Sequence, residues 1–185
     1  MHHRITAIIL CFLSLFMGGC SPTGSPQPKD LFQFPFEASV EVEANGYQTR
    51  GLFRVEENGE VVFLHQNSSS PLFGMKEQMK DGQYSTEFFG IVWSGSHTKT
   101  AMKSLLLLPS FSKQYQSITG YADTYEGNNA ICYIYQAEDL ELKLWTDAKG
   151  TFPLAAKIQE ENQSLFVRFF PKQESDNRNL LANGA

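Results

Sequence analysis

Residues 36–55 read FEASVEVEANGYQTRGLFRV. Phe36, Ala38, Val40, Val42 and Ala44 alternate with Glu37, Ser39, Glu41 and Glu43. Successive side chains of an extended strand point to opposite faces, so this period of two describes a strand with one apolar and one acidic face. Asn45-Gly46 follows, a pair that accepts positive φ at both positions and so suits a two-residue hairpin turn. Alternation resumes at Tyr47 and runs to Val55. A half-buried hairpin of this kind predicts an antiparallel sheet packed on a core.

The same grammar repeats outward from it. Asn58-Gly59 leads into 60–66, and Asp81-Gly82 separates 75–80 from 83–93. Gly127-Asn128-Asn129 divides 118–125 from 130–136. Residues 147–150 divide 140–145 from 151–159, and Glu161-Asn162 precedes 164–170. The pattern predicts about nine or ten short strands joined by turns. One stretch departs from it. Ser96 can cap a helix running to about Leu108, with Ala101, Met102, Leu105 and Leu106 on one stripe and Pro109 just past its end. Val61-Val62-Phe63-Leu64, Phe88-Phe89 and Leu165-Phe166-Val167 are apolar on both strand faces. A sheet curved around a helix, with its outer face partly covered, accommodates that better than a flat wet one.

The N-terminus is of another kind. Arg4 precedes an apolar run from Ile5 to Met17, too short to span a bilayer, and the slim pair Gly18-Gly19 follows. These are the parts of an export signal over residues 1–19. Met17-Gly18-Gly19-Cys20 resembles the lipobox of bacterial lipoproteins, which implies that Cys20 is alkylated by diacylglycerol and becomes the mature N-terminus. SPTGSPQPK at 21–29 has no apolar pattern to bury, so residues 20–35 are expected to form the lipidated Cys and a flexible tether. The folded domain is then expected over 36–171, with a polar, disordered tail at 172–185.

Cleavage would remove Arg4 and no acid, leaving the mature chain one charge more acidic than the precursor's −5. That balance disfavours nucleic acid and a polybasic grip on anionic lipid. Of the 3 cysteines, Cys11 leaves with the signal and Cys20 with the lipid. Cys132 is left alone, so no intramolecular disulfide is expected, and its apolar strand context suits a small buried hydrophobe.

Chemistry-bearing motifs are few. His65 alternates with Val61 and Phe63, as a strand residue near the sheet rim, and His97 has no ligand spacing to it. Ser96-His97-Thr98-Lys99 and Ser110-Phe111-Ser112-Lys113 each satisfy Ser-x-x-Lys, and Ser175-Asp176-Asn177 occurs in the tail. The chain is far too short for a penicillin-recognising fold and has no Lys-Thr-Gly strand, so these are chance patterns. Glu37, Glu41 and Glu43 read as a solvated strand face. No catalytic residue, cofactor or metal is expected, and an enzyme is not indicated. The 15 Phe, 7 Tyr and 2 Trp either fill a β core or line a cavity for an acyl chain.

Leu142-Lys143-Leu144-Trp145-Thr146-Asp147, a four-residue turn and Phe152-Pro153-Leu154 resemble the LolA/LprG-like superfamily of lipoprotein and lipid carriers. Ser70-Pro71 through Gly74-Met75, with Phe89-Gly90-Ile91 beyond, is similar to small lipoproteins of that group. The family's long helix near the mature N-terminus has no counterpart, because Phe36–Ala44 already reads as strand. The resemblance implies a mainly β (α+β) fold: a single curved antiparallel sheet, an unclosed half-barrel of about 9–11 strands with a helix on its concave face. It also implies an envelope protein, anchored to a membrane by acyl chains, that binds a hydrophobic ligand (lipid or lipidated protein) at Met102, Leu105 and Leu106. The alternative is a tethered scaffold that binds a protein partner and no small molecule.

Overall fold

The computed structural model describes residues 31–95, 101–114, 119–137, 140–160 and 163–172. Cys20, the export signal, Ser96, His97 and the Ser-Asp-Asn of the tail lie outside the described residues.

The described residues form eleven strands and two short helices. Strands β1 (Phe36–Ala44), β2 (Tyr47–Val55), β3 (Val61–His65), β4 (Lys76–Lys80), β5 (Gln83–Phe88) and β6 (Ile91–Ser94) follow in one meander. Helices α1 (Ala101–Leu106) and α2 (Leu108–Gln114) come next. A second meander contains β7 (Thr119–Tyr125), β8 (Asn128–Ala137), β9 (Leu140–Asp147), β10 (Pro153–Glu160) and β11 (Gln163–Pro171). Antiparallel pairing of β1 with β11 joins the halves into one open sheet in the order β6-β5-β4-β3-β2-β1-β11-β10-β9-β8-β7.

The sheet is curved, and α1 shows why. This helix packs against β11, β4 and β3, although β4 and β11 have three strands between them. At about 4.8 Å per strand a flat sheet would hold them roughly 19 Å apart, well beyond the ~10–12 Å diameter of one helix. The sheet therefore wraps around α1 as an unclosed half-barrel, as the sequence implies. Gly51 of β2 permits part of this packing, since a Cβ there would collide with the Phe63 ring and the Leu64 carbonyl.

Four hairpins turn through residue pairs with positive φ at both positions: Asn45-Gly46, Asp81-Gly82, Phe89-Gly90 and Glu126-Gly127. The first two are where the sequence puts them. The third corrects the expectation of one strand over 83–93, which is β5, a turn and β6. The fourth shifts the turn expected at 127–129 back by one residue. The helix expected to end near Leu108 ends at Leu106, and Pro109 opens α2 instead of stopping α1. In the first helical turn proline's missing N–H costs nothing and its fixed φ already suits the helix.

The tether boundary also moves. Leu31 and Phe32, expected in the tether, are buried. The Phe32 ring meets those of Phe36, Phe53 and Phe169 at centroid distances of 5.2, 6.2 and 5.8 Å. The packed domain thus begins at Leu31, because two large apolar side chains gain more from the core than from water. Among the described residues no helix is long and apolar enough to cross a membrane.

Candidate functional site

The concave face is the side on which a hydrophobic ligand would sit. Val40 and Val42 of β1, Phe53 of β2 and Phe63 of β3 point into it, with Val167 and Phe169 of β11 and Leu142 and Leu144 of β9. Of the three residues expected to line a cavity, Leu105 and Leu106 are both 0 % exposed and belong to this cluster. Met102 is half-buried and packs against it. The Ser104 hydroxyl donates to Glu160 Oε2 at 3.3 Å and ties α1 to the end of β10. The structure therefore brings the three residues together and makes them core.

Two hydroxyls in this apolar interior lack a partner among the described residues, those of Tyr133 and Tyr135. Tyr135 of β8 is 1 % exposed, and its hydroxyl makes no hydrogen bond to any described residue. Burial pushes its ionisation well above the ordinary tyrosine value, with Tyr133 adding to the effect.

Sequence reasoning missed a second polar group. His65 is not at a rim: it is 1 % exposed, facing the core at the end of β3. Glu77 of β4 meets its Nε2 at 2.7 Å, and Thr49 Oγ1 of β2 meets Nδ1 at 3.2 Å. The Tyr84 hydroxyl of β5 donates to the other Glu77 oxygen. One tautomer satisfies every member, with Nε2–H donating to the carboxylate and Nδ1 accepting from Thr49. A hydroxyl, an imidazole and a carboxylate in this order resemble a nucleophile with its base and orienter. Thr49, however, is 2 % exposed and leaves no room for a reacting carbonyl beside its oxygen. The arrangement can clamp four strands; it offers a substrate no approach.

The outer face carries polar clefts and a small aromatic cover. Arg50 Nη2 lies 2.6 Å from Glu41 Oε1, and Arg168 is 3.9 Å from the same carboxylate. These side chains, with Glu43, Gln48 and Asn67, border an open cleft of about 270 Å³ beside the β1–β2 hairpin. Lys172 Nζ lies 2.7 Å from Glu37. Cys132 is buried beneath this face. Burial pushes its thiol up, against a smaller opposing effect from its hydrogen bond with Tyr121. Trp145 Nε1 donates to Asp123 Oδ2 at 2.9 Å across β8. Among the described residues no three His, Cys, Asp or Glu side chains are grouped to hold a metal ion. Ser110 is half-buried at the start of α2; the other Ser-x-x-Lys, at 96–99, lies outside the described residues.

No family model matches the chain, and no curated protein matches it. Solved structures similar to it include the lipoprotein LppX of Mycobacterium tuberculosis, at 11 % identity and a TM-score of 0.42, covering 78 % of this chain and 90 % of that one. LprF of Mycobacterium bovis is similar at 12 % identity and 0.43, covering 78 % and 88 %. MucB, solved with MucA from Pseudomonas aeruginosa, is similar at 18 % identity and 0.41, covering 77 % of this chain and 52 % of that one. The likeness is one of overall fold, and no function passes from them to this chain.

Proposed function

We propose that this chain is a membrane-tethered, non-catalytic envelope lipoprotein that binds a protein partner on the outside of a filled half-barrel. The anchor rests on the lipobox at Cys20. The observation that carries the rest is the complete burial of Leu105 and Leu106: the side chains expected to line a ligand cavity fill it themselves. The cleft beside the β1–β2 hairpin, bordered by charges of both signs, suits the polar rim of a protein more than an acyl chain.

The decisive experiment pairs Leu105→Ala with a fluorescent fatty-acid probe. A filled site loses transfer energy and keeps a void, so the substitution should cost about 2–5 kcal/mol in urea unfolding. Neither protein should bind the probe saturably. Saturable binding, weakened by Leu105→Ala with little loss of stability, would replace this reading with the carrier. For the anchor, Cys20→Ser should abolish labelling by a fatty-acid analogue; unchanged labelling would sink it.

The carrier reading has one observation in its favour: the Tyr135 hydroxyl, like that of Tyr133, is orphaned. A ligand's polar head would supply its missing partner. On that reading Tyr135→Phe weakens probe binding; in a filled core it leaves binding absent and stability unchanged or higher.

A further inference from the structure

Lys76 of β4 pairs with Glu87 of β5, and the end of the sheet beyond that pair differs from the rest of the surface. It contains the loop before β4, NSSSPLFGM at 67–75, and the turn of the β5–β6 hairpin, whose segment FFGIVWSG at 88–95 runs back along the free edge with Val92 beside Glu87 and Trp93 beside Thr86. Neither segment has a charged residue, although charged residues make up 19 % of the chain. Phe73, Phe89, Ile91, Val92 and Trp93 are 55, 87, 55, 56 and 52 % exposed, so this end and the β6 edge next to it hold most of the large apolar side chains that the described residues leave in water.

Phe89 is the most informative of them. It occupies the first position of the hairpin turn with φ +50°, and Gly90 follows at +76°. The fold makes the same turn with Asn45-Gly46 and Asp81-Gly82, residues that take left-handed φ readily. A phenylalanine there is strained, and among the described residues its ring meets that of Phe88, 4.3 Å away between centroids. Among the described residues nothing repays the strain, which leaves the side chain open to a contact outside the sheet.

The covalent geometry of the anchor says which contact. Residues 20–30 lie between the acylated cysteine and Leu31, the first described residue, and such a segment reaches at most about 36–40 Å. A six-residue strand such as β5 is only about 20 Å long. Leu31 enters at the opposite end of the sheet, where Phe36 pairs with Val55, so the segment is long enough to cross that length and let the hairpin touch the bilayer that holds the acyl chains. Phe, Ile and Trp beside serine, without charge, is the composition of a segment that enters the headgroup boundary. A protruding turn also suits a soft interface, where a fitted protein partner would want a groove.

We propose that the β5–β6 hairpin, with Phe89 at its tip, inserts into the outer boundary of the membrane that anchors the chain and fixes the orientation of the half-barrel on it. The proposal rests on the acylation of Cys20.

The test uses the full mature acylated chain with Trp145→Phe, which leaves Trp93 as the sole tryptophan. It is reconstituted in phosphatidylcholine–phosphatidylglycerol vesicles with and without brominated acyl chains. Co-sedimentation reports on the anchor and quenching of Trp93 reports on the tip. Trp93 should be quenched, whereas Trp145 in the Trp93→Phe chain should not. Phe89→Asn suits the turn better than the native residue, so it should keep the fold and the co-sedimentation yet lose the quenching. The Cys20→Ser chain, added to the same vesicles, should partition weakly, and Phe89→Asn should weaken that by about tenfold or more, the value of burying one Phe side chain. Co-sedimentation with Trp93 unquenched overturns the insertion and leaves the anchor standing. Quenching of Trp93 in a wild-type preparation found to carry no acyl chain supports the insertion and removes the anchor. A blue shift that follows protein concentration and ignores lipid gives the hairpin to a second copy and overturns the proposal.

Discussion

His65 and Glu77 face each other across β3 and β4 with side chains 1 % and 4 % exposed. A buried polar pair adds little net stability over an apolar one of similar volume, but removing one member strands the other. Glu77→Leu should therefore cost about 3–5 kcal/mol, read as a fall in the urea midpoint. His65→Leu combined with Glu77→Leu should recover much of that loss, and a double mutant no better than the single would show that the pair is not the stabilising unit. The inward face of His65 is legible in its alternation with Val61 and Phe63. Its partner is not, because KEQMK at Lys76–Lys80 has no apolar rhythm to mark Glu77 and Met79 as inward. Cys132 is the opposite case, a thiol flanked by Ile131 and Tyr133 whose burial the sequence implies. Burial raises its pKa, so less thiolate exists near neutral pH. A thiol reagent should label it slowly in the native protein and fast in urea; equal rates would contradict its burial.

Turns decide where the elements end. Asn45-Gly46 and Asp81-Gly82 are readable because Asn and Asp tolerate left-handed backbone. Phe89-Gly90 and Glu126-Gly127 adopt the same geometry with residues that do not. That is why β5 and β6 read as one strand and the β7–β8 turn reads one residue late. Glu126→Asn should relieve the strain and raise stability by about 0.5–1 kcal/mol in thermal or urea unfolding. The lost Glu126–Arg168 contact, 3.7 Å long with Glu126 65 % exposed, offsets little of it. The β9–β10 turn works differently. Asp147 accepts the Thr151 N–H at 2.6 Å, the Thr151 hydroxyl at 2.7 Å and the Phe152 N–H at 3.2 Å. This explains the Asp at the end of the strand motif that carries the family resemblance. Burial alone would raise its carboxyl, but these hydrogen bonds outweigh burial and hold it below the ordinary value. A depressed folded pKa gives stability that is present above the unfolded value, about 3.9, and lost as pH falls through the folded one. Wild type should therefore exceed Asp147→Asn in urea midpoint at neutral pH, with the gap closing below about pH 4; a gap independent of pH would reject the carboxylate's role.

At the scale of the whole molecule, pairing between neighbours in sequence was readable, and the joining of the two meanders was not. Each hairpin announces itself in a few residues, whereas the β1–β11 pair links residues more than 120 positions apart through matched faces, Val40 opposite Phe169 and Val42 opposite Val167. Nothing in the local pattern selects that partner over another apolar strand. The same long-range closure draws the N-terminal segment into the core. Polar SPTGSPQPK at 21–29 continues into Leu31 and Phe32, and composition alone gives no reason to place the boundary before them. Phe32 meets rings from β1, β2 and β11 at the middle of the open sheet, so it seals the junction between the halves. Phe32→Ala should therefore destabilise the protein by about 3–5 kcal/mol, as a buried aromatic does when truncated. Phe34→Ala, two residues on and 52 % exposed, should change little. Urea unfolding of both separates a plug from a tether: equal, small losses would return Leu31 and Phe32 to the linker. A large loss confined to Phe32 places the entry of the chain into the sheet at its β1–β11 seam, and under the proposed Cys20 anchor, pull from the membrane would then be borne by the centre of the fold instead of a free edge.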